Sequence, residues 1–286
     1  MSRLAGRFAE LRAAGRAALV PFVTAGDPTP DVTRRLLPRL VEAGADIIEL
    51  GVPFSDPMAD GPVIQRAGER ALAAGMTLSG VLDLARGFRA NDRSTGLVLM
   101  GYLNPIVAMG HARFAAAAAA AGIDGVIVVD MPPEEGEPLL APLREHGIDP
   151  VFLLSPTTSV ERMRRIAQEA SGFLYYVSLK GITGAGHLDA ASVAEALARV
   201  RGVSALPVGV GFGIADADTA RRIASVADAV VVGSAIVRRV EQALDDPERI
   251  PDRVGGFVAD LRSAVDAAKR GAPDAAERAE PGSAKR

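Results

Sequence analysis

No cysteine occurs among the 286 residues, so the chain has no disulfide, no thiolate nucleophile and no thiolate-held metal. No apolar run approaches the roughly 20 residues needed to cross a bilayer, which excludes a transmembrane helix. An excess of one charge is missing too. The 32 basic and 35 acidic residues leave a net charge of -3, too small and of the wrong sign for a nucleic-acid binder. The opening stretch MSRLAGRFAELRAAGR has neither an uninterrupted apolar segment nor a cleavage site, so a reducing cytoplasm is the expected compartment. Histidine is scarce, and His111, His146 and His187 follow no metal-ligand spacing. They read as surface residues, and no metal is expected.

What is present is apolar. A hydrophobic fraction of 49% against 23% charged residues specifies a folded chain. The length suits one or two domains of about 150 residues, or a single α/β barrel of about 250. Eight short β-branched runs stand out, at 20–25, 47–52, 97–102, 125–130, 150–155, 174–179, 207–212 and 229–234. They are continuously apolar rather than alternating, as parallel strands covered on both faces must be. Between them lie amphipathic stretches of helical length at 30–43, 62–74, 111–121, 133–146, 159–169, 190–201 and 216–225, the first with an expected kink at Pro38. Eight such units without a linker predict one (β/α)₈ barrel of the triosephosphate isomerase type, over residues 1–270. The end from Gly271 to Arg286 is small, polar and aperiodic, and reads as a disordered tail.

In such a barrel the chemistry sits where strands end. Glycines gather after the last three runs, in GITGAG at 181–186, GVGFG at 209–213 and GS at 233–234. Backbone N–H groups reach a phosphate closely only where a Cβ is absent, and the helix begun by Ser234 adds its positive end. These clusters read either as a phosphate cradle or as ordinary turns; the dinucleotide pattern fails, because Ile214 stands at its third glycine position.

Glu49 is an acid within an apolar strand, on the same face as Ile47. A carboxylate there is either paired with a core arginine or functional; aimed into the barrel mouth, desolvation would raise its pKa into the range of a usable acid or base. Asp60 lies just beyond, in the proline- and glycine-rich loop GVPFSDPMADGP, from which both carboxylates can reach one ligand.

PFVTAGDP at 21–28, IIELGVPFSDPMADGPVIQ at 47–65, GYLNP at 101–105, GITGAG at 181–186, GFGI at 211–214 and GSAIV at 233–237 occur in this order. Together they resemble the tryptophan synthase alpha chain family, over about 3–270 and most specifically in ELGVPFSDPMADGP. The resemblance implies a lyase of tryptophan biosynthesis that splits indole-3-glycerol phosphate into indole and glyceraldehyde 3-phosphate by retro-aldol cleavage. Matched residue by residue, it implies Glu49 as acid and base and Asp60 as the holder of the indole N–H. It places phosphate on Gly184, Gly213, Gly233 and Ser234, and indole among Phe22, Met100, Tyr102, Ile127, Val129, Leu153, Tyr175 and Phe212. Thr183 would lie in a lid over Asp60; Asp130 and Ser178 match as well.

The family's alpha chain has no cofactor of its own, and its partner is a beta chain with pyridoxal phosphate, in an αββα heterotetramer through which indole passes internally. Phe54, Pro57 and Met58, together with the Pro132–Pro133 corner, suit that interface or form a local loop core. The alternatives are a stand-alone lyase releasing free indole, another phosphate-binding barrel enzyme such as a phosphosugar isomerase, and a barrel kept only as a binding subunit.

Overall fold

A computed structural model describes residues 2–178, 190–211 and 213–268. The chain starts with α1 (Arg3–Ala13), β1 (Ala18–Thr24), α2 (Pro30–Glu42), β2 (Ile47–Gly51), α3 (Pro62–Ala73), α4 (Leu78–Arg89) and β3 (Gly96–Gly101). It continues through α5 (Leu103–Met109), α6 (His111–Ala120), β4 (Gly125–Val128), α7 (Glu137–Glu145), β5 (Asp149–Pro150), β6 (Phe152–Leu154) and α8 (Val160–Glu169). The last elements are β7 (Leu174–Val177), α9 (Ala190–Arg201), β8 (Val208–Gly211), α10 (Ala217–Ala224), β9 (Ala229–Val232), α11 (Ser234–Glu241) and α12 (Ile250–Asp266).

Every pairing is parallel, in the order β5-β4-β3-β2-β1-β9-β8-β7-β6. The two ends of that order, β5 and β6, are successive pieces of one segment on either side of Val151, so the sheet nearly closes into the expected barrel. The fifth apolar run is thus two strands rather than one. Pro150 has no N–H to give the ladder, and Val151 resumes it by donating to the Val126 carbonyl at 2.9 Å. Two further differences have local causes. The long gap between the second and third runs holds two helices, α3 and α4. The expected helix at 133–146 is a 3₁₀ turn at Pro133–Glu135 followed by α7, separated at Gly136. Helix α2 runs on past Pro38 to Glu42.

Strand alternation sorts the apolar residues into two cores. Leu19, Val23, Ile48, Leu50, Leu97 and Leu99 face the helices, whereas Val20, Ile47, Val98, Ile127, Tyr175 and Val231 face the barrel axis. Both faces are buried, which explains the continuous apolar runs. Helix α1 closes the amino end of the barrel: Leu4, Phe8 and Leu11 are buried in the axial core, with the Phe8 and Phe173 rings 5.6 Å apart. Burial of each is worth about 2 kcal/mol, and the plug leaves the carboxyl end for a ligand.

A repeated device sets the strand starts. The helix before β2 ends at Gly44 and that before β4 at Gly122, with φ of 96° and 77°, and each glycine is followed two residues later by a buried aspartate. Asp46 Oδ2 accepts from the Leu19 N–H at 2.8 Å and Asp124 Oδ2 from the Leu97 N–H at 2.8 Å, each tying its own strand to the preceding one. Arg262 of α12 adds a 2.7 Å ion pair to Asp46.

Candidate active site

Strand geometry aims Glu49 at the axis, with Phe22 on β1 and Val98 on β3 as its register partners. It is 1% exposed, and its Oε2 has no hydrogen-bond partner. Burial, with the charge of Asp60 adding to it, pushes the carboxyl up to about 8. No ion pair to Glu49 is found among the described residues, so a core salt bridge does not account for it. A carboxyl without donor or counter-charge keeps its proton at neutral pH and is matched to proton transfer.

Asp60 sits in a different environment. It stands in the loop between β2 and α3, where the Tyr102 hydroxyl donates to its Oδ2 at 3.1 Å and the Gln65 amide donates to its backbone carbonyl at 2.9 Å. Burial raises its carboxyl above the ordinary aspartate value, and the Tyr102 bond offsets only part of that rise. The same hydroxyl accepts the Ala59 N–H at 3.0 Å and, chiefly through burial, is pushed up to about 12, so it stays a donor. Two nearby carboxyls thus differ in character, Glu49 protonated and Asp60 better stabilised as the anion. Tyr175 faces the same interior; burial, then the Glu49 charge, raises its hydroxyl well above the ordinary tyrosine value.

A cleft beside Asp60 is walled by Phe22, Met100, Tyr102 and Val129. Ile127, Leu153 and Tyr175 lie deeper, in or against the axial core. Glycines make room for the aromatic walls themselves: a Cβ on Gly51 would come within 2.6 Å of Phe22 Cζ, and one on Gly211 would overlap the Tyr175 hydroxyl. Gly233 caps α11 and Ser234 is its first residue, so the unpaired N–H groups of that helix start beside Phe22, while Gly213 is exposed at φ 79°. Gly184, Thr183, Phe212, His187 and the tail from Gly271 lie outside the described residues. Asp130 is exposed and accepts the Leu103 N–H at 2.8 Å; Ser178 is buried.

Several wall residues have no signal in composition or periodicity. Thr24, with a buried and unpartnered Oγ1, Pro53, Phe54, Pro57 and Ile64 all line the cleft. Of the two readings of the Phe54, Pro57 and Met58 group, Phe54 follows the loop-core one: it is half-buried, its ring 5.2 Å from that of Tyr102, whereas Met58 is 86% exposed. His111 corrects the surface reading of the histidines, being half-buried with its Nε2 enclosed and unpartnered, whereas His146 is exposed. No cluster of potential metal ligands exists among the described residues.

Fold and cleft together define a (β/α)₈ barrel with a largely apolar cleft that carries the Asp60 carboxyl at its side. Residues 8–266 match the family model described as tryptophan synthase alpha chain. The alpha chain of Nitrosococcus oceani is 56% identical over 94% of this chain and 99% of its own, and that of Thioalkalivibrio sulfidiphilus 58% identical over 93% and 100%. Among solved structures, the alpha subunit of Legionella pneumophila superposes with a TM-score of 0.87 at 43% identity, covering 93% of this chain and 99% of that one. The chain belongs to the tryptophan synthase alpha chain family. Membership makes it a lyase of tryptophan biosynthesis, with a beta chain as partner; the alpha chain carries no cofactor, and pyridoxal phosphate belongs to the beta chain. Among the described residues no helix is long and apolar enough to cross a membrane.

Proposed function

We propose that the cleft cleaves indole-3-glycerol phosphate with Glu49 as acid and base and Asp60 as the anchor of the indole nitrogen. Glu49 delivers its proton to indole C3, and the positive charge that appears at the ring nitrogen is held by the Asp60 carboxylate. The Glu49 carboxylate then takes the proton of the adjacent side-chain hydroxyl. The carbon–carbon bond breaks, its electron pair re-forms the C2–C3 double bond and neutralises the nitrogen, and the hydroxyl carbon leaves as the aldehyde of glyceraldehyde 3-phosphate. The proton given to C3 stays on the indole, and the one taken from the hydroxyl restores Glu49 to its protonated form. Phe22, Met100, Tyr102 and Val129 hold the ring, with Ile127, Leu153, Tyr175 and Phe212 beneath or beside it. Gly184, Gly213, Gly233 and Ser234 take the phosphate, and Thr183 belongs to a lid.

The observation that carries this reading is the pairing of a buried carboxyl raised to about 8 with a second carboxyl stabilised by a tyrosine donor. The working unit we assign is an αββα heterotetramer in the cytoplasm. The exposed Met58 and the Pro132–Pro133 corner lie in loops at the ligand end of the barrel, and indole would pass there to the beta chain. The catalytic domain spans 1–270, with 271–286 as an appended tail.

Aldehyde release from indole-3-glycerol phosphate, by the purified chain alone and then with a beta chain and serine, tests this. Weak release that rises strongly with the partner is expected. High release unchanged by the partner would mean a stand-alone lyase, and a Glu49→Gln chain as fast as the natural one would refute the mechanism.

A further inference from the structure

Helices α3 and α11 each begin at one end of the proposed ligand. Asp60 immediately precedes the Gly61 cap of α3, and Ser234 opens α11. The two helices pack on each other and on β1 through Phe22, Ala67 and Val237. Beyond that apolar contact runs a chain of charge. Arg70 places its Nε and one terminal nitrogen on the two oxygens of Asp27 at 2.7 and 2.9 Å, and its other terminal nitrogen on Glu241 at 3.2 Å. Arg66, one turn earlier on α3, grips both oxygens of Glu241 at 2.6 and 2.9 Å. Asp27 is 3% exposed and follows β1, and Glu241 is the last residue of α11. A planar guanidinium fixes both carboxylates in direction as well as distance, which an ammonium on a flexible stem does not. Small residues let the helices approach, since Ala67 and Ala71 are fully buried.

We infer that Arg70 is a positioning residue: by clamping α3 to the end of β1 and to α11, it sets the separation of Asp60 from the start of α11, and so the length of ligand the cleft accepts. The inference rests on the indole and phosphate ends assigned above. Sliding α3 by a fraction of a turn would carry Asp60 with it, because Asp60 is joined directly to the helix cap and held by Gln65 from its first turn. A ligand touching one end alone is indifferent to that slide, whereas a ligand spanning both is not.

The test compares the full chain with its Arg70→Lys and Glu241→Gln forms, in complex with the beta chain, using three ligands. Indole probes one end, inorganic phosphate the other, and indole-3-glycerol phosphate spans both. Arg70→Lys is expected to lower kcat/KM for the spanning substrate by about tenfold or more while affinities for indole and phosphate stay within about twofold. Glu241→Gln, at the more exposed end of the chain of charge, keeps the fold and is expected to show the same pattern more weakly. Equal loss for all three ligands would mark a merely structural role and overturn the inference, as would Arg70→Lys with full kcat/KM. Asp60→Asn cleaving at the natural rate would overturn the assignment of Asp60 and the inference with it, an outcome distinct from any result at Arg70.

Discussion

Replacing Glu49 by glutamine keeps the shape of the side chain and removes its titration. The unfolded chain releases this proton near the ordinary glutamate value of 4.5, and the folded barrel holds it to about 8. Between those values the folded state binds more protons than the unfolded one, so stability falls as pH rises; the contribution is complete below the unfolded value and lost up to the folded one. From the two values, the loss between pH 5 and 7 is about 2–3 kcal/mol. Glu49→Gln is exempt from it. The variant's unfolding free energy, measured in urea at a series of pH values, should therefore gain on the natural protein by up to about that amount between pH 5 and 7. The fixed cost of burying an amide cancels, because two pH values are compared. Cleavage of indole-3-glycerol phosphate should fall by about 10² to 10⁴ in the same variant. A stability difference that stays flat from pH 5 to 8 would refute the claim that Glu49 is held protonated in the fold.

Tyr102→Phe removes the bond that draws the Asp60 carboxyl down, so the acid limb of the kcat/KM profile should move to higher pH, with a loss of about tenfold at neutral pH. An unmoved acid limb would separate Tyr102 from Asp60 in catalysis. Gly51→Ala drives a methyl to 2.6 Å from Phe22 Cζ, and overpacking of this kind costs about 1–3 kcal/mol; thermal unfolding should show it, together with a raised KM. Asp46→Ala leaves Arg262 buried without one of its partners and Leu19 without an acceptor, at a cost of about 3–5 kcal/mol. Urea unfolding should register that cost while the folded fraction keeps its kcat, since Asp46 lies at the closed end of the barrel.

Much of the barrel is legible in the chain because parallel strands buried on both faces must be apolar throughout, and each of the eight runs holds strand. The broken fifth run carried its own signal in Pro150, a residue without a ladder donor. Glu49 was legible as an anomaly, an acid where the pattern demands an apolar side chain. Local spacing does not show Tyr102 reaching across 42 residues to Asp60, or Arg70 bridging Asp27 and Glu241 across 43 and 171.

Sequence alone thus determined the strand and helix periods and singled out Glu49 and Asp60 as the two candidate acids, because these follow from local patterning and from motif residues adjacent in the chain. Tertiary structure decided which acid is protonated. That depends on how many donors and how much water each carboxyl meets, and both are set by side chains brought in from distant strands: nothing for Oε2 of Glu49, a tyrosine hydroxyl for Asp60. It also decided that Phe54 packs on Tyr102, and that the two helices holding the proposed ligand ends are tied together by the guanidiniums of Arg66 and Arg70.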